Sequence, residues 1–260
     1  MSRFIDRLNQ VSQAEPQPMG FRVAAAVSSK PRLLLVASLA QADVSGLADY
    51  VAGADAGLLF IAKSGSGVKT LQKITQLVPD IPWGGWLKDE AGEGAVEQMA
   101  KAGGDFVVFP AADTPLAVPH GKEIGKVLQV EASLSEGLLR TVNGLPVDAV
   151  LIAGEESGRF LTWHHLMLFR RLAGLLAKPL LVSVPAKVTA DELQAIWDAG
   201  VDSIIVAVGV GQPAGGLKGL RQMIDKLTFP SSRQRGKAEA LLPRIGGITE
   251  AAAEEEEEEE

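Results

Sequence analysis

The chain has 260 residues, 47% of them apolar, which is enough for one large domain with a sizeable core. It contains no cysteine, so disulfides, thiolate metal sites and cysteine nucleophiles are excluded, and the absence fits a reducing compartment such as the cytoplasm. The net charge of −7 argues against nucleic acid, which needs clustered Lys and Arg, and no apolar run approaches the ~18 residues of a transmembrane helix.

The first segment, residues 1–29, opens with Phe4, Ile5, Leu8 and Val11 at helical spacing among Arg3, Asp6 and Arg7. This mixed pattern predicts a helix packed on the domain, followed by a linker, and lacks the unbroken apolar stretch of a signal peptide. A partner-binding or membrane-surface arm is the alternative reading, the membrane version weakened by short length and mixed charge. From residue 30 to 229, short apolar runs alternate with segments of helical character. The runs are Leu33–Ala37, Leu58–Ile61, Trp83–Leu87, Phe106–Phe109, Val127–Val130, Ala149–Ile152, Leu180–Val184 and Ser203–Val208. Runs this short and this apolar read as strands buried on both faces. Between them, Val68, Leu71, Ile74 and Val78 keep helical spacing. So do Leu193, Ile196 and Ala199, and later Leu217, Leu220, Met223, Ile224 and Leu227. Thr189 and Glu192 form a capping-box pattern.

A recurring turn groups these units in pairs. Ala52-Gly53-Ala54-Asp55, Ala102-Gly103-Gly104-Asp105, Pro146-Val147-Asp148 and Ala199-Gly200-Val201-Asp202 each precede an even-numbered strand. Glycine after a helix supplies the left-handed cap that a Cβ resists. Odd-numbered strands follow Pro31, Pro82 and Pro179, and proline is tolerated where a strand begins. Four such two-strand modules predict a closed (β/α)8 TIM barrel over residues 30–229, with an open doubly wound sheet as the rival. The irregular unit is 111–125, where Pro115, Pro119 and Gly121 leave little room for a helix. Beyond it, residues 230–260 form a C-terminal extension. Leu241, Leu242 and Ile245 are able to pack on the barrel, and the seven terminal Glu read as a solvated tail.

Barrel chemistry sits where strands end. The last strand is followed by Gly209-Val210-Gly211-Gln212-Pro213-Ala214-Gly215-Gly216, four glycines before an amphipathic helix. Glycines let backbone amides approach an anion, so Gly209, Gly211, Gly215 and Gly216, with Ser183 of the seventh strand, are candidate phosphate or cofactor ligands. A turn-forming loop is the competing reading. Glu131 ends the fifth strand and is the candidate acid–base group, on the expectation of partial desolvation in the barrel mouth. Lys63, opening Lys63-Ser64-Gly65-Ser66-Gly67, and Lys88 are candidates to stabilise developing negative charge. Asp113, Glu155 and Glu156 are the carboxylates able to share Mg2+, although no spacing rule marks a metal site. His164 and His165 are adjacent and therefore poor joint ligands on a helix, and His120 has no partner in view. Trp86, near the end of the third strand, either packs in the core or stacks on a ligand ring.

The Ala-Gly-Val-Asp-Ser-Ile-Ile-Val turn at 199–206 and the glycine loop at 209–216 resemble those of phosphate-binding barrels, the ribulose-phosphate-binding superfamily and FMN-linked barrels. The resemblance implies a small phosphorylated ligand and a phosphosugar isomerase or lyase, or alternatively an FMN oxidoreductase. Neither the paired Asp and Lys of the decarboxylase branch nor the acid–base residues of the epimerases are matched. A third reading is therefore a non-catalytic barrel used for binding or assembly, including homo-oligomers.

Overall fold

The computed structural model describes residues 2–12, 33–39, 46–61, 64–87, 94–117, 124–153, 160–209 and 216–229. Eight parallel strands close in sequence order: β1 (Leu34–Leu39), β2 (Ala56–Ile61), β3 (Trp83–Leu87), β4 (Phe106–Pro110), β5 (Gly125–Glu131), β6 (Ala149–Ala153), β7 (Leu180–Val184) and β8 (Ser203–Val208). The seam pairs Leu34 with Ser203 and Leu39 with Val208. Closure settles the choice between barrel and open sheet. The chain is a (β/α)8 barrel.

Outward-facing residues of the strands meet the helices α2 (Leu47–Tyr50), α3 (Ser64–Leu77), α4 (Ala95–Lys101), α5 (Glu136–Thr141), α6 (Trp163–Leu175), α7 (Ala190–Asp198) and α8 (Gly216–Asp225). Leu71, Met99, Leu139, Leu172, Ile196 and Leu220 are buried against Leu59, Val107, Val150 and Val206 in this layer. The Thr189–Glu192 capping box forms as expected. Between β4 and β5 no helix occurs among the described residues. Phe229, the last described residue, lies edge-on to Trp197 of α7 at 5.1 Å. Leu241, Leu242, Ile245 and the glutamate tail lie outside the described residues.

Inward-facing residues form a second core. Leu34, Val36, Leu58, Phe106, Val108, Val127, Leu151, Leu181 and Ile205 fill the barrel. The helix α1 (Arg3–Ser12) closes its N-terminal end, adding Phe4, Ile5 and Leu8 to that core. Phe4 stacks on Phe106 with ring centroids 4.3 Å apart. Gly125 permits this approach, since a Cβ there would lie 2.5 Å from Ile5 Cγ1.

The recurring Asp turns have a specific purpose. The glycines Gly53, Gly103 and Gly200 take φ values of 97°, 87° and 109°, which end the preceding segment. The Asp that follows turns its carboxylate onto the preceding odd strand. Asp55 accepts from Leu35 N, Asp148 from Lys126 N and Asp202 from Leu180 N. Three modules thus share one bond that pins the first residues of adjacent strands in register. Asp105 departs from the pattern and accepts from Ser2 Oγ and from the backbone N–H groups of Arg3 and Phe4. Arg221 of α8 ties the barrel shut, donating to Asp55 Oδ2 at 2.6 Å and to Leu33 O.

Candidate functional site

Strand alternation decides which side chains reach the C-terminal mouth. The last inward positions are Ser38, Phe60, Trp86, Pro110, Gln129, Ser183 and Ala207, with Glu131 one layer higher on β5. These positions are unequal in bulk. On the β2–β5 side, Phe60, Trp86 and Gln129 are half-buried and interlocked. Trp86 Nε1 donates to Gln129 Oε1 at 2.7 Å, and the Phe60 ring lies edge-on to the indole at 5.9 Å. On the β7–β8 side, Ser183 and Ala207 are the single exposed residues of strands that are otherwise buried. Small side chains there leave the floor open.

Glu131 ends β5, as expected, but it is exposed, so the desolvation expected of it is not found. Its Oε2 accepts from Ser133 Oγ at 3.0 Å. Glu131, Ser133 and Ser183 line a cleft of about 790 Å³ between the ends of β5 to β7 and the start of α6, together with His164, Arg171 and Phe160. The structure therefore brings Glu131 and Ser183 to one cleft. Gly209 directly follows β8, two residues beyond Ala207, and Gly216 is the first residue of α8. Gly211, Gly215, Lys63 and Lys88 lie outside the described residues, as do His120, Glu155 and Glu156. Ser64 to Gly67 are not a loop. They form the first turn of α3, where Gly67 passes so close to Ile61 that a Cβ would lie 2.6 Å from its Cγ2.

Several polar groups resolve as structural. His165 is the N3 residue of a capping box on α6. Thr162 N donates to its Nδ1 at 3.1 Å, and Thr162 Oγ1 accepts from His165 N. An imidazole here does what Glu usually does. Asp113 is an exposed turn residue, and no group of three His, Asp or Glu side chains able to hold a metal ion occurs among the described residues. His164, weighed in the sequence only as a poor metal ligand, is a cleft residue, and Gln129 was not singled out in the sequence at all. His164 lines the cleft from the helix side, and Gln129 stands inside the mouth. A polar residue at an inward position of an apolar strand was the available signal for Gln129.

The fold and the mouth define a (β/α)8 barrel with small exposed residues, Ser183 and Ala207, at the mouth ends of β7 and β8. No family model and no curated protein sequence matches the chain. Solved structures do share its fold. Thiamine phosphate pyrophosphorylase from Pyrococcus furiosus aligns with a TM-score of 0.57 at 16% identity, covering 75% of this chain and 96% of that one. The 3-hexulose-6-phosphate synthase of Salmonella typhimurium gives 0.58 at 16%, over 74% and 98%. A mutant tryptophan synthase α-subunit from Pyrococcus furiosus gives 0.59 at 12%, over 75% and 97%. The likeness to these proteins is one of fold. No helix among the described residues is long and apolar enough to cross a membrane.

Proposed function

We propose that this barrel binds a small phosphorylated metabolite at its C-terminal face and acts on it as an isomerase or lyase of the cytoplasm. The observation that carries the reading is the exposed small residues Ser183 on β7 and Ala207 on β8, with Gly209 directly after β8 and a helix, α8, next along the chain. Backbone N–H groups at a helix start carry partial positive charge and suit a phosphate dianion. The ligands would be Ser183 Oγ and the amides of Gly209, Gly211, Gly215 and Gly216. Two of the structural neighbours carry phosphate compounds in their names, which supports the same ligand class.

A phosphate anchored there leaves the rest of the metabolite over the mouth and the cleft. Glu131 would then move the proton, its carboxylate steadied by Ser133. Lys63 or Lys88, after strands β2 and β3, would stabilise the negative charge that proton removal creates. The direct test is thermal. Inorganic phosphate at about 100 times its Kd should raise Tm by roughly 5–10 °C. Gly211→Asp and Ser183→Asp, which place a like charge in the site, should abolish that rise. No protection of the wild-type protein by phosphate, or protection that survives both substitutions, would overturn the reading.

A further inference from the structure

Trp86 and Gln129 face the mouth from the side opposite the open floor. They sit on β3 and β5, two strands apart, with β4 between them. The registers place Trp86 level with Val108 and Gln129 level with Pro110, so the indole leans upward across β4 to reach the amide. Phe60 stands level with Trp86 on β2 and meets it edge-on. The indole is therefore held at both ends, by a ring on one strand and a hydrogen bond to another. It is nonetheless half-buried, with part of its surface open to the mouth.

The hydrogen bond also fixes the amide. Gln129 Oε1 is used by Trp86 Nε1, which donates only, so the amide cannot be flipped without bringing two donors together. Gln129 Nε2 then has no partner among the described residues, and it is not sealed from solvent. A locked aromatic surface with an oriented donor pair beside it is a recognition element, since neither group must be ordered when a ligand arrives.

We infer that Trp86 and Gln129 form a specificity subsite for a flat ring carrying a hydrogen-bond acceptor, at the end of the ligand away from its phosphate. The ring lies on the indole and Gln129 Nε2 donates to the acceptor. Both are positioning residues; neither takes part in bond making. The subsite rests on the phosphate reading above, because the phosphate fixes where the ring falls. It narrows the ligand from any phosphate ester to one with an aromatic or heteroaromatic group.

The test compares four probes on the intact protein by calorimetry: inorganic phosphate, glycerol 3-phosphate, phenyl phosphate and 4-nitrophenyl phosphate. Phenyl phosphate should bind on the order of tenfold tighter than glycerol 3-phosphate, and the nitro compound a few-fold tighter again. Gln129→Glu keeps the acceptor for Trp86 Nε1 and removes the free donor. It should erase the step from phenyl to nitrophenyl, read as the ratio of the two affinities, since the added charge weakens all four anionic probes alike. Trp86→Leu should erase the step from glycerol to phenyl. If Trp86→Leu misfolds, Trp86→Phe, which keeps a ring but loses the bond that orients Gln129, should retain the glycerol-to-phenyl step and lose the nitro step. Equal binding of glycerol and phenyl phosphates to the wild-type protein overturns the subsite and leaves the phosphate reading intact. So does a ring preference untouched by both substitutions. Failure of all four probes overturns both.

Discussion

The carboxylate of Asp105, at the foot of β4, accepts the backbone N–H of Phe4 at 2.9 Å and so caps the helix that closes the barrel. Its other oxygen takes Arg3 N at 2.8 Å, while Ser2 Oγ both donates to Asp105 and accepts from Ile5 N. Three of the four donors that a helix start leaves unsatisfied are thus held by two side chains. A negative charge at that end also opposes the positive pole of the helix.

Removing this cap should loosen α1 before it unfolds the barrel. Asp105→Ala is expected to cost about 2–3 kcal/mol, since it strands N–H groups at a buried helix start. Urea denaturation gives the magnitude. Limited proteolysis near residue 13 should accelerate in the variant, and an unchanged cleavage rate would mean that α1 is held by its apolar face alone.

That apolar face makes a separate prediction. Phe4 is fully buried and stacked on Phe106, so Phe4→Ala should cost roughly 3–5 kcal/mol. Gly125→Ala should also destabilise, because Ile5 and Ser2 occupy the space a Cβ needs. The pair of variants should be less than additive, as both undo the same docking. Equilibrium unfolding of the two single variants and the double variant measures the coupling.

Arg221 is the fastening at the seam. It bridges Asp55 and Leu33 from α8 with little solvent exposure. Arg221→Met keeps the aliphatic stem and leaves the Asp55 carboxylate with Leu35 N in place of two partners. A loss of about 1–3 kcal/mol in chemical denaturation is expected. A neutral result would show that the seam is held by the β1–β8 pairing without it.

His165 offers a test of chemistry by substitution. Its role as the N3 acceptor of a capping box predicts that His165→Glu is close to neutral, while His165→Ala costs about 0.5–1 kcal/mol. Thermal unfolding of both variants measures the cap, and ligand affinity of the same variants measures any part His165 plays in the cleft it lines beside His164.

The strands were legible because a parallel barrel buries both faces of each one. Leu180–Val184 and Ser203–Val208 stand where the apolar runs place them. The Gly-Asp turns were legible as turns, since they are local. What the Asp does was not, because its partner lies some twenty residues back on another strand, as with Asp202 and Leu180. Asp105 and Phe4 are more distant still, and nothing local separates Asp105 from its three counterparts. In the mouth, strand alternation along β3 puts Trp86 on the face opposite Trp83. The bond to Gln129 depends on register across an intervening strand, which no spacing reveals. Glu131 was placed correctly at the strand end, but its exposure depends on the height of its neighbours above the sheet.

The central claim is that the floor between β7 and β8 holds a phosphate group. Backbone amide NMR of the labelled protein, titrated with inorganic phosphate, tests it most directly. The expected result is a saturable set of shifts concentrated at Ser183 to Ala186 and from Gly209 through the first turn of α8, lost in Gly211→Asp. Shifts centred elsewhere on the barrel, or none at saturating phosphate, would contradict it.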